Sequence, residues 1–320
     1  MSIIIPLVAA DGAKSTVTIA APVINAPSGG AGFGQAIMPA PAGYTNMIFQ
    51  DTFLGTALNL AKWNPAMGAE GGLWNNEGKL GKDPNGFPYT GPNTNSSGAS
   101  ESYDSELNCK SQIVVNNGCT ITAQPNSANL NPGGIHYPYL AGAMTTVAPP
   151  GSGPGVTANF TLPTSGKWYV QIRCKMPDMS HGIAPGLWFM PGHSGGAVNE
   201  FDFIQGCFAP QMTSNAALYN YFPLAIDWDN GPAAGTHVPN VGFDSTAAFH
   251  IYGVEVNWAA GTATGYVDGK SIYSASQLPT PQAYEIIVNV QCWQAGLSWA
   301  TGINGSSGSW QIAEIQAYAG

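Results

Sequence analysis

The chain has 320 residues and carries 9 Lys and Arg residues against 18 Asp and Glu residues, for a net charge of −9. Only 8% of the residues are charged and 44% are hydrophobic, so the chain can bury a sizeable core. Arg173 is the only arginine, which leaves little positive charge to bind a nucleic acid or an anionic membrane surface. We therefore expect neither as a partner.

Glycine and proline punctuate the sequence throughout, with 41 and 25 residues. They separate short apolar runs, whereas segments with the 3.6-residue period of an amphipathic helix are scarce. No apolar run is long enough to span a membrane. This pattern predicts an all-β protein in which antiparallel strands form a two-sheet sandwich.

Taken in chain order, residues 1–45 are rich in Ala, Pro and Gly and contain one strand pattern, at 15–19. We predict an N-terminal extension over 1–45, which lies on the domain edge or is partly mobile, and one domain over 46–320. Asn117-Gly118 predicts the turn of a hairpin between strands at 113–115 and 119–123. Further strands are predicted at 168–174, 186–190, 200–204, 250–256, 264–270, 285–290 and 310–315.

Two long irregular segments, 64–102 and 208–247, are predicted to form lids or walls of a cleft. The five cysteines, Cys109, Cys119, Cys174, Cys207 and Cys292, show no CxxC pair and no metal-ligand spacing. They predict buried thiols or at most two disulfides.

The carboxylates are few, and one cluster of them lies in a predicted strand. Polar and apolar residues alternate from Glu200 to Phe203, which puts Glu200 and Asp202 on one face. A β-bulge after Asp202 would turn Gln205 onto the same face. The pattern alone also fits an edge strand with a solvated polar face.

The segment Pro185–Pro191, followed by residues 200–205, resembles the signature of glycoside hydrolase family 16. Members of that family are retaining β-glucanases and include laminarinases, lichenases and agarases. Residues 49–53, 58–63, 104–108, 250–255 and 266–269 resemble further family segments in the family's order, so that the likeness covers residues 47–320. The resemblance implies a β-jelly-roll sandwich with a concave sugar-binding cleft.

The resemblance also implies the catalytic roles. Glu200 corresponds to the nucleophile, and Asp202 lies between it and the acid/base position, where it would separate the pKa values of the neighbouring carboxyls. Gln205 occupies the acid/base position itself. An amide has no acidic proton to donate and cannot activate water, so we expect the chain to be impaired in hydrolysis.

Three accounts of Gln205 stay open at this point. The chain is a variant disabled to hold a substrate, or a natural sugar-binding relative that has lost hydrolysis. In the third account, another acid such as Glu106 or Glu101 replaces the missing group.

Sugar rings stack on aromatic planes, so a polysaccharide cleft needs Trp or Tyr near the acids. Trp188, Asp104, Glu106 and His250 match sugar-contacting or cleft positions of the family, and His250 is expected on the concave sheet. Trp74 and Trp293 are further stacking candidates. For each Trp the alternative is core packing, and for His250 it is a structural role. Family members often have a Ser-Gly-Arg segment where this chain has Ala141–Met144, so the subsites are expected to differ.

Some relatives bind a structural calcium between the first and last strands. Asp51 and Glu314 are candidate ligands by position, and we expect no cofactor that the reaction requires.

Together these observations predict a retaining endo-β-glycanase, specifically an endo-β-1,3(4)-glucanase. Because cations are scarce, a neutral β-glucan fits better than a sulfated or acidic polysaccharide. We expect a secreted monomer whose partner is a polysaccharide or oligosaccharide, although no signal peptide is visible at the N-terminus. The alternative is a non-catalytic carbohydrate-binding protein on the same fold, and a structural jelly roll is a third reading.

Overall fold

The computed structural model describes residues 2–8, 14–20, 37–66, 80–91, 106–191, 200–206, 224–225, 227–228, 236–237, 243–276, 278, 280–292 and 305–320. Four of the candidate residues, Trp74, Glu101, Asp104 and Trp293, lie outside these ranges, as does much of the two irregular segments. Within the ranges no helix has the length and apolar character needed to cross a membrane.

The regular secondary structure of the described residues is almost entirely strand, which confirms the all-β prediction. The strands are β1 (Ser2–Val8), β2 (Lys14–Ala20), β3 (Asn46–Asp51), β4 (Glu106–Asn108), β5 (Ile113–Val115), β6 (Cys119–Pro125), β7 (Tyr139–Ala141), β8 (Ala143–Thr145), β9 (Lys167–Lys175), β10 (Ile183–Pro191), β11 (Phe201–Gln205), β12 (Leu224–Ala225), β13 (Asp227–Trp228), β14 (Thr236–His237), β15 (His250–Asn257), β16 (Thr262–Val267), β17 (Lys270–Ser276), β18 (Tyr284–Cys292) and β19 (Gly308–Ala319). Short 3₁₀ helices cover Lys110–Gln112, Pro132–Gly134 and Met179–His181.

Two large sheets form the sandwich. The five-stranded sheet has the order β13-β11-β10-β18-β8. The ten-stranded sheet has the order β17-β16-β15-β9-β19-β6-β7-β4, with β3 beside β19 and β5 beside β6. Strands β4 and β7 pair in parallel, whereas the long central strands pair antiparallel. Strands β1 and β2 form a separate hairpin, and β12 pairs with β14.

The core lies between the two sheets because alternate residues of each strand are apolar and point inward. The five-stranded sheet contributes residues such as Leu187 and Phe189, and the ten-stranded sheet contributes Val170 and Ile172, all in one buried cluster. Each sheet therefore has an inner face in the core and an outer face turned away from it. The positions that alternate with the core residues lie on these outer faces.

The turns explain where the strand predictions succeeded and where one failed. The hairpin predicted at Asn117-Gly118 is present between β5 and β6, and Asn117 has the positive φ of 50° that such turns require. The predicted strand at 264–270 is wrong in its second half. Asp268 and Gly269, with φ of 49° and 75°, form a second hairpin turn that ends β16 and begins β17.

The strand predicted at 15–19 is present as part of β2. Residues 37–45 lie against the ten-stranded sheet, where Met38 and Tyr44 are buried and the Met38 amide donates to Glu314 at 2.7 Å. For the rest of the N-terminal segment, the predicted domain division stays a prediction.

Four cysteines within the described ranges, Cys109, Cys119, Cys174 and Cys292, are buried and form no disulfide. Burial raises the pKa of the Cys174 thiol, so this side chain stays protonated and unreactive in the folded protein. This outcome matches the prediction of buried thiols, and Cys207 lies outside the described residues.

Candidate active site

The candidate catalytic cluster lies on β11, and the predicted bulge is present there. Phe201 pairs with Phe189 and Asp202 with Trp188, but Ile204 pairs with Leu187, so that Phe203 is the extra residue. Phe201, Phe203 and Ile204 are all buried in the core. Because two consecutive residues point inward at the bulge, Gln205 returns to the outer face on which Asp202 lies.

Glu200 directly precedes β11, and its neighbour Phe201 is in the core, so the alternation puts Glu200 on the outer face as well. Glu200 and Gln205 are half-buried, whereas Asp202 is only 5% exposed. The outer face of β11 thus presents two acids and one amide in a row along the strand.

Strand pairing extends this face across the five-stranded sheet. Asp202 lies opposite Trp188, which lies opposite Ile287, which lies opposite Thr145. Directly paired residues of antiparallel strands share a face, so these side chains form one row. A small apolar cluster on this face comprises Ala143, Trp188, Met190 and Ile287.

The next row begins at Gln205 and continues through Gly186 and Asn289. The Trp188 indole donates from Nε1 to Asn289 Oδ1 at 3.0 Å. A Cβ atom on Gly186 would lie 2.4 Å from the same oxygen, so only glycine leaves room for the Asn289 side chain. Trp188 is therefore held in place beside the acids by a hydrogen bond and a glycine.

Glu106 begins β4, the last strand in the order of the ten-stranded sheet. Its Oε2 accepts from the Cys292 amide at 2.9 Å, at the C-terminal end of β18, and the residue is fully buried. The structure thus joins the Glu106 side chain to a backbone group at the end of β18, a strand of the sheet that carries Asp202 and Gln205. Its predicted contact with sugar stays a prediction.

His250 was expected on the sheet of the catalytic strand, and this expectation is wrong. His250 begins β15 in the ten-stranded sheet, where its Nδ1 lies 2.9 Å from Asp268 Oδ2 and its ring stacks on Phe243 at 3.7 Å. It is 2% exposed. These contacts fix the end of β15 to the turn at Asp268, which is the structural alternative considered for this histidine.

Asp51 and Glu314 do not meet. Asp51 lies opposite Ile315 and points into the core, where it accepts from the Phe53 amide at 2.9 Å and from Trp63 Nε1 at 2.8 Å. Glu314, one position away from Ile315, lies on the outer face and accepts from Gln50 Nε2 at 2.8 Å. This pair therefore forms no shared calcium site, and the described residues contain no group of His, Cys, Asp and Glu side chains suited to a metal. A structural calcium stays a prediction.

Sequence reasoning missed two residues of this face, Asn289 and Glu285. Both lie on β18, where polar residues alternate with the core residues Ile286 and Val288. Glu285 pairs with Met190 and is fully buried, in the row that leads toward Glu200. The alternation itself was the signal that could have found them, because it places every second residue of β18 on the outer face.

A two-sheet sandwich that presents a bulged strand with neighbouring carboxylates beside a fixed tryptophan belongs to the class of carbohydrate-active β-sandwiches. Residues 105–311, well over half of the chain, match the family described as Glycosyl hydrolases family 16. The chain belongs to this family. Among curated proteins no significant match was found.

Several solved structures share this fold at low sequence identity. One is the catalytic domain of an endo-1,3-beta-glucanase (laminarinase) from Thermotoga petrophila, with 17% identity, a TM-score of 0.57, and coverage of 85% of this chain and 96% of that one. A lichenase from a mouse hindgut metagenome has 14% identity, a TM-score of 0.56 and coverage of 85% and 98%. A LamA variant from Zobellia galactanivorans, in complex with laminaritriose and laminaritetraose, has 13% identity, a TM-score of 0.57 and coverage of 86% and 99%. These likenesses establish the jelly-roll fold.

Proposed function

We propose that the chain is a retaining endo-β-glycanase for a neutral β-glucan, in the manner of an endo-β-1,3(4)-glucanase, and that Gln205 impairs it. The observation that carries the proposal is the bulge at Phe203, which puts Glu200, Asp202 and Gln205 on one outer face beside Trp188. Family membership supports the reaction type. The oligosaccharides bound to the Zobellia relative support a neutral glucan as the substrate.

In the proposed reaction, a carboxylate oxygen of Glu200 bonds to the anomeric carbon while the bond to the leaving oxygen breaks. That oxygen departs with the electron pair and needs a proton. Water must then attack the glycosyl ester, and a base must take a proton from it. Asp202 holds the neighbouring carboxyl in its working protonation state. With an amide at position 205, no side chain at that position can protonate the leaving oxygen or take the proton from water.

The first test restores the missing carboxyl. Release of reducing ends from laminarin and from mixed-linkage glucan is measured for the chain and for Gln205→Glu. We expect the variant to turn over about 10²–10⁴ times faster, the range in which a positioned general acid acts. Gln291→Glu is the matched control, because it adds the same charge to the outer face of the same sheet, on β18, which lies two strands away from β11. It should leave turnover unchanged, and a rise of similar size would contradict the role of residue 205.

The second test bypasses the acid. An aryl β-glucoside with a strongly acidic phenol needs no proton on its leaving oxygen, so the unaltered chain should release the phenol through Glu200. The glycosyl ester should then accumulate, and azide should displace it to give a glycosyl azide and free Glu200. Mass spectrometry detects both the ester and the azide. Absence of phenol release by the unaltered chain would count against Glu200 as the nucleophile.

The amide at Gln205 also favours a second candidate, a non-catalytic carbohydrate-binding protein on this fold. In that case neither Gln205→Glu nor the aryl glucoside yields product, while oligosaccharides still bind. Calorimetric titration with laminaritetraose, run beside the turnover assays, separates the two functions.

Secretion and a monomeric state belong to the same proposal. A polysaccharide substrate is too large to enter a cell, so a glucanase of this kind acts outside it. Sedimentation of the purified chain at 33.2 kDa would agree with a monomer.

A further inference from the structure

A cavity of about 510 Å³ lies on the outer face of the ten-stranded sheet, away from the sheet that carries Glu200. Its volume falls within the range of small-molecule sites, roughly 300–1,000 Å³. Its walls include Tyr44, Tyr169, Tyr266 and Glu255, together with prolines at 39 and 41. Nothing in the proposed catalytic reaction uses these residues.

The floor of the cavity is aromatic. Tyr169 and Tyr266 have ring centroids 5.3 Å apart, and Tyr44 lies 5.4 Å from Tyr169. Gly253, in the middle of β15, lies between them, and a Cβ atom there would come within 2.1 Å of the Tyr169 hydroxyl. Glycine weakens the interior of a strand, and where it occurs there it often marks a place where another group approaches the backbone closely. Here it lets the Tyr169 side chain lie across β15.

The opposite wall is a segment of chain, residues 38–44, tied to the sheet at both ends. The Met38 amide donates to Glu314, and Gln171 Nε2 donates to the Pro39 carbonyl at 3.0 Å. At the other end the Tyr44 hydroxyl donates to Glu255 Oε2 at 2.7 Å. The cavity is therefore formed before any ligand arrives, which lowers the entropic cost of binding.

The charges on the walls select against ions. None of the described residues that line the cavity is Lys, Arg or His, so the lining itself offers an anion no counter-charge. The Asp268 carboxylate accepts from the Ile251 amide at 3.0 Å and lies beside His250. Glu255 is compensated by Lys167, whose Nζ lies 3.9 Å away and over the Tyr44 ring at 4.4 Å. The carboxylates thus attract an added cation only weakly.

Phenol rings, proline rings and compensated oxygen acceptors suit a ligand with C–H faces and hydroxyl groups. We propose that this cavity is a second, non-catalytic site for a neutral sugar ring. It would hold one unit of a glycan on the face remote from Glu200. This site goes beyond the proposed function and does not depend on it, because binding here needs no turnover.

The test is calorimetric titration of the whole chain with laminaritriose, and of variants at one wall residue. Tyr266 is half-buried on β16, so Tyr266→Ala removes the ring with little disturbance of the core. We expect it to weaken binding at one site at least about tenfold, equivalent to about 1.4 kcal/mol. Tyr266→Phe should retain most of the affinity. Thr264→Ala, on the same face of the same strand, is the control and should bind like the unaltered chain.

Trp188→Ala separates this cavity from the candidate active site. If the proposal is right, it leaves the Tyr266-dependent binding intact, even if the cleft proves inactive. Three results would overturn the proposal. The first is that the Tyr266→Ala and Thr264→Ala isotherms are identical. The second is that Trp188→Ala abolishes all binding. The third is that tetramethylammonium, and not laminaritriose, binds in a Tyr266-dependent way, which would identify an organic-cation site instead.

Discussion

Two strands of the sandwich, β11 and β19, contain the same local feature, one extra residue that redirects a polar side chain. In β11 the extra residue is Phe203, and Gln205 returns to the outer face of the five-stranded sheet. In β19, Ile312 pairs with Cys174 and Glu314 with Arg173, so Ala313 is the extra residue. Glu314 is thereby placed on the outer face of the ten-stranded sheet.

The surroundings of the two redirected side chains differ. Glu314 is fully buried and accepts hydrogen bonds from the Met38 amide, Gln50 and Gln316, with Arg173 3.9 Å away. Gln205 is half-buried, and the residue opposite it is Gly186. A bulge therefore only positions a polar group. Its partners decide whether the group holds the fold together or is available to a substrate.

The largest expected effect is on the catalytic side of this comparison. In the Gln205→Glu chain, Glu200→Gln should lower turnover of laminarin by about 10⁴-fold or more, because the nucleophile is lost. Reducing-end release measures it, and thermal unfolding of the same variant separates loss of the nucleophile from loss of the fold. If turnover falls less than tenfold, another group attacks the anomeric carbon.

A change at Glu314 should lower stability and leave turnover unchanged. Glu314→Ala removes the acceptor of the Met38 amide and the carboxylate that lies 3.9 Å from the half-buried Arg173. We expect the free energy of unfolding to fall by about 3–5 kcal/mol, as for other broken buried ion pairs. Urea denaturation measures this loss. Turnover per folded molecule of the Gln205→Glu chain should not change, and a large loss of turnover would mean that the two faces are coupled.

A smaller effect distinguishes two strand glycines. In Gly186→Ala the new Cβ would lie 2.4 Å from Asn289 Oδ1, so Asn289 must move and its bond to Trp188 weakens. We expect a loss of about 1–3 kcal/mol in stability and lower turnover in the Gln205→Glu chain. Gly265→Ala is the control, because its new Cβ would be 3.4 Å from the nearest atom, an ordinary contact. Equal effects of the two changes would show that glycine at 186 has no special role.

Much of this arrangement follows from period-two patterns in the sequence. Alternation around Glu200 predicted that Glu200 and Asp202 share a face. A bulge was predicted because strict alternation would put Gln205 on the same face as the core residue Phe203, and the register of β11 confirms it. The hairpin at Asn117-Gly118 followed from turn chemistry. The same chemistry at Asp268-Gly269 was overlooked, so a strand was extended through a turn.

The errors arise where the answer depends on which strands become neighbours. The expectation that His250 lies on the sheet of the catalytic strand came from the family resemblance, and the strand pattern around it could not test this, because alternation defines a face but does not say to which sheet a strand belongs. Asp51 and Glu314 do lie on adjacent strands, yet a register offset of one residue puts them on opposite faces. Alternation puts Asn289 on the outer face of its strand, but its bond to Trp188 depends on pairing between strands about 100 residues apart in sequence, and no local pattern contains that information.

The smallest expected effect concerns alkaline pH on the ten-stranded side. Burial, and then the hydrogen bond to Glu255, raise the pKa of Tyr44 above its usual range, and burial in the core raises the pKa of Tyr252. The folded protein therefore keeps protons that the unfolded chain releases near pH ~10. The contribution of these tyrosines to stability is complete below that pH and is lost as the pH rises from there toward the raised pKa values.

Tyr44→Phe tests this expectation at one site. At neutral pH the variant should lose about 1 kcal/mol, because the hydrogen bond to Glu255 is gone. Above pH ~10, however, the free energy of unfolding of the variant should fall less steeply with pH than that of the unaltered chain. The two slopes should differ by up to about 1.4 kcal/mol per pH unit, because the variant lacks the one hydroxyl proton of Tyr44. Urea denaturation at pH 8, 10 and 11 measures both slopes. Parallel slopes would mean that Tyr44 ionises alike in both states, in which case its contact with Glu255 does not hold the wall of the cavity in solution.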